Sequence, residues 1–228
     1  MNLLRYHKIA GNLVMIGVLL FIVLTFLAMI LYPGGAQFYP STQSYSFIHN
    51  YFSDLGGLNA HNGESNLISA SLFLSSLFII GICVIPLFII FPFIFNHGIV
   101  EKYFSIIATT IGLVASIAYI GIGITPYDVF SYQHNIFVSI AFTCAFIFLI
   151  VYTVFVFFNH HISNFFGYIN FLYIIAITLN SIVLLLYFDY ETPQEYMILV
   201  IAQKIVVYSE LICLFVQGYG LSTLKFVK

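Results

Sequence analysis

Long apolar stretches separated by short polar connections make up most of this sequence. A helix needs about 20 mostly apolar residues to cross a hydrocarbon core of about 30 Å. Lipid offers the backbone no hydrogen-bond partner, and the stretches are too continuous for the alternation of a β-barrel, so helices are expected. The pattern predicts an all-α, polytopic integral membrane protein, a six-helix transmembrane bundle that forms one domain over residues 1–228. The predicted spans are residues 9–31, 67–95, 103–124, 136–158, 165–188 and 196–218.

The second stretch is the longest of the six and contains Pro86 and Pro92. Proline has no backbone N–H, and its ring clashes with the carbonyl group four residues earlier. We therefore expect either a kink in this helix or an early end near Phe91.

The composition indicates a chain dissolved in a bilayer rather than in water. Hydrophobic residues make up 62% of the sequence and charged residues only 6%, whereas about 25% of the residues of a soluble domain are charged. This excludes a water-soluble enzyme, a disordered chain and a nucleic-acid binder. The partners expected are membrane lipids, other membrane proteins or a second copy of the chain, and not nucleic acid.

The charged residues predict the orientation of the bundle. Five cations fall at one end of a six-span arrangement: Arg5, Lys8, Lys102, Lys225 and Lys228. Six acidic residues fall at the other end: Asp54, Glu64, Asp128, Asp189, Glu191 and Glu195. Because Lys and Arg are retained on the cytoplasmic side, we expect both termini in the cytoplasm and the long loop of residues 32–66 outside. The cell (plasma) membrane is the expected location.

Polar side chains gather in the loop of residues 32–66. The segment Ser53-Asp54-Leu-Gly56-Gly57 has the composition of a turn, because Ser53 or Asp54 can cap a backbone turn and the two glycines permit a positive φ. We expect this turn to fold the loop onto the mouth of the bundle. The polar residues of the loop include Tyr45, His49, Asn50, Ser53, Asp54, His61 and Glu64.

A second polar group connects the third and fourth spans on the same side of the membrane. Pro126 ends the third helix, Asp128 can cap the helix after it, and His134 stands at the start of the fourth span. If the long loop folds back, these residues and those of the loop could share one outer pocket.

Such a pocket would bring imidazoles and carboxylates together, which are acceptable zinc ligands. The candidate metal ligands are His49, His61 and His134. None of them forms a ligand-spaced pair such as H-x-x-x-H, so histidines solvated at the membrane interface are the competing interpretation. No cofactor is predicted, and zinc is the alternative.

A third polar group lies in the last span. Gln203, Glu210 and Gln217 are seven residues apart and form one stripe along the helix. Lys204 is the only cation inside a span, and a charge in the membrane indicates protein-lined or wet surroundings. Two interpretations stay open: a buried polar clamp that sets helix packing, or a site for a lipid headgroup, an ion or a proton. The partners considered for Lys204 and Glu210 on other helices are Asn180, Thr178, Tyr173 and Ser116. For Lys204, the outer acids Asp54 and Asp128 are the alternative.

Three short motifs resemble a known family of membrane proteins. They are Asn50–Gly56 (N-Y-F-S-D-L-G), Gly123–Asp128 (G-I-T-P-Y-D) followed by His134, and Gln203-Lys204 in the last span. The six-span family called domain of unknown function 998 has N-x-I-S-[DE]-L-G, then G-[IV]-F-P-x-D with a His, then Glu-Arg, in the same order. The resemblance implies the six-span fold and its topology, and it implies no activity.

Two departures from this family lie in the last span, where Cys213 stands in place of a usual aromatic residue and the Glu-Arg pair is changed. Gln203-Lys204 stands in place of Glu-Arg, which keeps the cation and loses the carboxylate beside it. A more distant similarity links the chain to the DRAM-like (damage-regulated autophagy modulator) membrane proteins, which share an S-D turn after the first span.

Three functions are compatible with these residues, and the sequence favours the first over catalysis. The first is a non-catalytic bundle that binds a lipid or a partner protein in an outer-face polar pocket. Its binding candidates are Lys204, Glu210, Gln203, Asn50, Asp54, Asp128 and His134. The second is an intramembrane lipid hydrolase or transferase, whose catalytic candidates are Ser53, Asp54, Asp128 and His134. The third is a small-solute transporter, although the sequence lacks matching Gly/Pro breaks in two halves.

Overall fold

The structure is a computed structural model that describes residues 3–95, 98–158 and 162–223, with the backbone alone for residues 3–5. Its helices are α1 (Leu3–Leu31), α2 (Leu67–Ile94), α3 (Ile99–Gly123), α4 (Ser131–Phe158), α5 (Asn164–Leu186) and α6 (Pro193–Thr223). All six are long and apolar enough to cross a membrane, and no strand occurs in the ranges described. The predicted all-α, six-span fold is confirmed.

Several helices extend beyond the predicted spans, because a helix can continue past the hydrocarbon where polar groups cap it. The start of α6 is an example. The N–H of Glu195 donates to Oγ1 of Thr192 at 3.3 Å, and the N–H of Thr192 donates to the Glu195 carboxylate at 3.0 Å. This reciprocal capping box starts the helix at Pro193, three residues before the predicted span.

The early end expected for the second span near Phe91 is wrong, because α2 continues through both prolines to Ile94. Pro92 has no N–H to donate to the carbonyl of Phe88, four residues earlier. The hydroxyl of Thr109 in α3 donates to that carbonyl at 3.0 Å instead. A neighbouring helix thus supplies the missing donor, which lets the helix continue.

The six helices form a closed ring. Each helix packs against the next one in the chain, and α6 packs against α1. The last contact depends on small residues: a Cβ atom at Gly11 would lie 2.4 Å from the carbonyl oxygen of Gly218. Glycine at these positions therefore allows the two backbones to approach closely, and the approach closes the ring.

The first loop (residues 32–66) covers one end of this ring, which we call the loop end. Phe52 and Leu55 are buried there, and residues Ser53–Gly56 form a single 3-10 turn. Gly56 and Gly57 do not use the positive φ that glycine permits; the positive φ values of the loop are at Gly34, Gly35 and Gly63.

Close packing explains the other two glycines of the loop. A Cβ atom at Gly56 would lie 2.8 Å from the ring of Phe73, and one at Gly57 would lie 2.6 Å from the ring of Tyr127. The turn is therefore pressed against side chains of the bundle and of the α3–α4 connection.

The outward faces of the helices are apolar. The exposed fraction is 61% for Phe26 in α1 and 82% for Leu185 in α5. Such a surface is unfavourable in water and suits a bilayer, because apolar side chains facing lipid need no polar partner. Polar side chains accordingly concentrate at the loop end and inside the ring.

Candidate functional site

Asn50 and Asp54 organise the first loop from within. Oδ2 of Asp54 accepts hydrogen bonds from Nδ2 of Asn50 and from the N–H of Tyr51, both at 3.0 Å. The Asn50 amide also donates to the carbonyl of Gly35 at 2.9 Å and accepts from the N–H of Ser46 at 2.9 Å. These two buried side chains therefore bind mainly the backbone of the loop.

Lys204 reaches the same loop from α6. Its ammonium donates to the carbonyl of Asn50. It also lies over three aromatic rings, 5.6 Å from the centroid of Tyr45, 5.1 Å from that of Phe47 and 5.4 Å from that of Phe52. Cations are attracted to the faces of such rings. The hydrogen-bond partner is thus a loop carbonyl and not one of the side chains considered from the sequence.

Gln203 holds the next peptide of the same segment. Its Oε1 accepts a hydrogen bond from the N–H of Phe52 at 2.8 Å. Two consecutive residues of α6 therefore bind a carbonyl and an N–H of the tripeptide Asn50-Tyr51-Phe52. Two of the three sequence motifs meet at this point.

Asp128 fixes another part of the first loop. Its carboxylate oxygens accept from the N–H groups of Leu58 and Asn59, each at 3.0 Å. The expectation that Asp128 caps the following helix is wrong, because its carboxylate binds backbone N–H groups of the first loop. The α3–α4 connection and the first loop are joined in this way.

His61 lies beside Asp54. Its Nε2 is 3.4 Å from Oδ2 of Asp54, which is within ion-pair distance. The ring N–H is not aligned for a directed hydrogen bond. The polar contact with the Asp54 carboxylate raises the pKa of His61, and partial burial opposes this rise. The backbone N–H of His61 donates to the Tyr32 hydroxyl at 3.2 Å, and burial raises the pKa of Tyr32 to about 12.

His134 is buried at the start of α4. Its Nδ1 lies 2.8 Å from the carbonyl oxygen of Thr125. A carbonyl only accepts, so we assign the proton to Nδ1 and leave Nε2 as the acceptor nitrogen. This hydrogen bond joins the start of α4 to the residue that precedes Pro126.

The three histidines considered for zinc make separate contacts. Nδ1 of His49 is 3.0 Å from the Ser46 hydroxyl, whereas His61 is paired with Asp54 and His134 with the carbonyl of Thr125. Over residues 3–95, 98–158 and 162–223, no group of three or more His, Cys, Asp or Glu side chains is placed to hold a metal ion. The described residues therefore lend no support to the zinc alternative.

Inside the ring, three cavities follow one another along α6, with volumes of about 80, 50 and 30 Å³. The first, which we call the upper cavity, lies beneath Phe52 of the first loop and extends to Glu210. Glu210 also lines the second cavity, and Gln217 lines the second and the third. Gln203 lines the upper cavity. The stripe predicted from the spacing of these three residues is confirmed, and it faces the interior.

The upper cavity is mostly apolar. Its polar lining residues are Ser53, His134, Gln203, Glu210 and Tyr119. Its apolar lining comes from α1, α2, α3, α4 and α6 as well as from the first loop: Phe21, Phe52, Phe73, Leu77, Ile80, Val84, Ile122, Val138, Phe142, Val207, Leu211 and Leu214.

Glu210 is buried in the middle of α6. Its carboxylate accepts a hydrogen bond from the hydroxyl of Tyr119 in α3, so the two side chains meet across the ring. Tyr173 of α5 is buried close by and lines the second cavity. Its hydroxyl is not aligned for a hydrogen bond with any group in the described part of the chain.

The side chain of Gln217 makes more hydrogen bonds than that of Glu210. Its amide donates to Oδ1 of Asn170 at 2.8 Å and to the carbonyl of Phe166 at 3.1 Å, and it accepts from the Tyr152 hydroxyl at 2.8 Å. These bonds join α4, α5 and α6. Gln217 therefore fits the interpretation as a polar clamp that sets helix packing, whereas Glu210 retains acceptor capacity.

Sequence reasoning missed two residues of this region, Tyr119 and Asn66, whereas Tyr173 was among the partners considered for Glu210. Tyr119 stands among many aromatic residues in the spans, and nothing in its spacing marks it as a neighbour of Glu210. Asn66 donates to the carbonyls of Leu55 and Gly57 at 3.1 and 2.8 Å and so anchors the first loop to α2. Its position directly before an apolar stretch was the available signal.

The family comparison covers all of these elements. The family model described as Protein of unknown function (DUF998) matches residues 15–219. No curated protein and no solved structure matches the chain, so the more distant similarity to the DRAM-like proteins stays a prediction. The family match includes the three motifs that meet at the loop end and the whole stripe along α6. Because it covers most of the sequence, the chain belongs to the family described as Protein of unknown function (DUF998).

Proposed function

We propose that this membrane protein binds a single-chain amphiphile, with part of the hydrocarbon chain in the upper cavity. The observation that carries the proposal is a mostly apolar cavity of about 80 Å³ inside the ring, with Phe52 and Ser53 of the first loop in its lining. Ligand sites in proteins are commonly apolar cavities with a few convergent polar groups, and Glu210, Tyr119, His134 and Gln203 supply such groups here.

Packing energetics support an occupant for this cavity. Protein interiors are normally close-packed, and an unfilled cavity destabilises a fold by about 24 cal/mol per Å³. A cavity of about 80 Å³ thus corresponds to about 2 kcal/mol of lost stability. A hydrocarbon chain would recover contacts with Leu77, Ile80 and Val84, which line this space.

The polar residues above the cavity have structural partners. Asp54 and Asp128 accept hydrogen bonds from loop N–H groups, and Lys204 donates to the carbonyl of Asn50. Their contacts favour a role in holding the first loop over the cavity. The ligand is therefore expected inside the ring, below Lys204, and not in a polar pocket on the outer face.

Binding is favoured over hydrolysis or group transfer. Ser53 and His134 both line the upper cavity, but a catalytic histidine is usually oriented by a carboxylate. Here the Nδ1 side of His134 faces the carbonyl of Thr125. The two carboxylates considered, Asp54 and Asp128, bind backbone N–H groups of the loop.

A cavity-filling substitution tests the proposal. Val84 is buried and lines the first and second cavities, so V84F should occupy space that the chain of the ligand needs. The matched control V154F places the same side chain on α4 at a position that is 49% exposed.

The probe is dodecanol, added to nanodiscs that contain the protein, and native mass spectrometry counts the molecules retained. We expect the wild-type protein and V154F to retain one dodecanol, and V84F to retain at least tenfold less. Equal retention by all three proteins, or no retention by the wild type, would contradict the proposed site.

A further inference from the structure

The upper cavity combines one carboxylate with several aromatic rings. The carboxylate is Glu210, and the rings are those of Phe21, Phe52, Phe73, Tyr119 and Phe142. No Lys or Arg side chain of the described residues lines the cavity. Its wall is therefore chemically suited to a positive charge, since both a carboxylate and the faces of aromatic rings attract cations.

The cation of α6 does not neutralise Glu210. Lys204 lies six residues earlier, about 9 Å along the helix and on a different face, and its ammonium donates to the carbonyl of Asn50. Within the described ranges, no cationic side chain lies within ion-pair distance of Glu210. A buried carboxylate without a cationic partner is unfavourable, and a ligand that supplies the positive charge would correct this.

We propose that the ligand of the upper cavity carries a positively charged headgroup, which makes it a single-chain lipophilic cation such as a long-chain amine or quaternary ammonium compound. Glu210 is its counter-charge, and neighbouring aromatic rings surround the headgroup. This inference rests on the proposed function and specifies its ligand class. An anionic headgroup would be repelled by Glu210, and a neutral one would gain neither the charge nor the cation–π attraction.

The same bundle already holds one cation in this manner. The Lys204 ammonium lies 5.1–5.6 Å from the ring centroids of Tyr45, Phe47 and Phe52. Phe52 belongs both to this cage and to the wall of the upper cavity. A second cation in the upper cavity, against Phe52, would use the same recognition chemistry as Lys204.

Two tyrosines prepare the carboxylate for such a ligand. The Tyr119 hydroxyl donates to Glu210 and so fixes its orientation across the ring. The Tyr173 hydroxyl lies beside the same carboxylate and beside Tyr119, so two phenol hydroxyls face Glu210.

The experiment compares three probes that share one chain length and differ in headgroup charge. Dodecyltrimethylammonium, dodecanol and dodecyl sulfate are added at equal, low mole fractions to nanodiscs containing the full-length protein. Native mass spectrometry counts the retained molecules. We expect the wild-type protein to retain the cation at least tenfold more than the alcohol, and to retain the sulfate least.

Substitution of the carboxylate assigns the preference to Glu210. E210Q keeps an acceptor for Tyr119 and removes the charge, so it should lose the tenfold preference for the cation while still retaining dodecanol. E191Q is the matched control, because Glu191 is an exposed acid that precedes α6, and it should behave as the wild type. Y119F provides a second variant, which should weaken the preference without abolishing it.

The outcomes separate this inference from the proposed function. If the wild type retains dodecanol or dodecyl sulfate as well as the cation, the ligand class is wrong and the cavity remains a binding site. If E210Q keeps the preference for the cation, Glu210 is not the counter-charge. If no probe is retained, the proposed function fails together with the inference.

Discussion

At the scale of single residues, Lys204 and its neighbour Gln203 organise a loop that is about 150 positions away in the chain. One binds the carbonyl of Asn50 and the other the N–H of Phe52. Charge-assisted hydrogen bonds of this kind are stronger than neutral ones. The attachment of the first loop to α6 therefore depends on the charge of one buried ammonium.

Replacing Lys204 by methionine tests this dependence. K204M keeps most of the side-chain volume and removes both the hydrogen bond to Asn50 and the cation–π contacts. We expect the free energy of unfolding to fall by about 2 kcal/mol, because hydrogen bonds to charged groups contribute roughly 1.5–3 kcal/mol. Denaturant titration in mixed micelles measures this change, and limited proteolysis should show faster cleavage of the first loop.

The matched control for this substitution is K102M, at an exposed lysine near the start of α3. It removes the same charge where no buried contact is lost, so its stability should stay within about 0.5 kcal/mol of the wild type. A K204M protein that unfolds and is cleaved like K102M would show that the ammonium does not hold the loop.

Residue-level reasoning from the sequence indicated that Lys204 requires a buried partner but could not identify it. The partner is a backbone carbonyl, and no side-chain pattern marks a carbonyl at a distant position. The rings of Tyr45 and Phe47 are equally unremarkable in a sequence with 17 Tyr and 26 Phe. Only the folded loop brings these groups to the ammonium.

At the scale of helices, the crossing of α1 and α6 decides whether the ring closes. A Cβ atom at Gly11 would lie 2.4 Å from the Gly218 oxygen and 2.7 Å from the Ser222 nitrogen. Both atoms belong to the backbone, so the contact can be relieved only by moving one helix.

We therefore expect G11A to be destabilising by about 1–3 kcal/mol, which is typical of overpacking. Helix propensity alone predicts the opposite sign, because alanine is favoured over glycine by about 1 kcal/mol in a helix. G98A is the control, since a Cβ atom at Gly98 has open space around it. Denaturant unfolding of the three proteins measures the difference, and a G11A protein more stable than the wild type would exclude the close crossing.

Helices were the most predictable elements, for a physical reason. The thickness of a bilayer sets the length of an apolar span, so hydropathy located all six helices. Their ends depend on local capping, as at Thr192 and Glu195. They also depend on neighbouring helices, as where the Thr109 hydroxyl donates to the Phe88 carbonyl that Pro92 cannot bind. Such support comes from another helix and has no signal in the sequence of α2.

At the scale of the whole molecule, the distribution of Lys and Arg predicts that the loop end faces the outside. Single cysteines test this orientation with a membrane-impermeant maleimide. S41C lies at an exposed position in the first loop, and G98C lies at an exposed position between α2 and α3. Neither change alters the charge on which the prediction is based.

We expect S41C to be labelled in intact cells and G98C only after the cells are permeabilised. The parent protein is the background control, because Cys83, Cys144 and Cys213 all lie within helices. Labelling of G98C in intact cells, with S41C protected, would reverse the orientation.

The candidate site could be predicted only in part at this scale. The seven-residue spacing of Gln203, Glu210 and Gln217 correctly indicated a common face, since the geometry of a helix fixes it. The cavities along that face could not be predicted, because the space between six helices depends on how all of them pack together. The contact between Tyr119 and Glu210 could not be predicted either, because it also depends on how the helices pack together.

Because α6 packs against α1, no helix in the ring is structurally distinguished as the first one. Each helix has two neighbours, and the covalent chain is one of several ways to connect the same six positions. A circularly permuted protein, with a short linker from the end of α6 to the start of α1 and new termini in the α2–α3 connection, would keep every helix in its place. The termini would lie at a different place in the ring, and the interior would stay the same. The architecture therefore depends on the closed arrangement of the helices and not on their order in the chain.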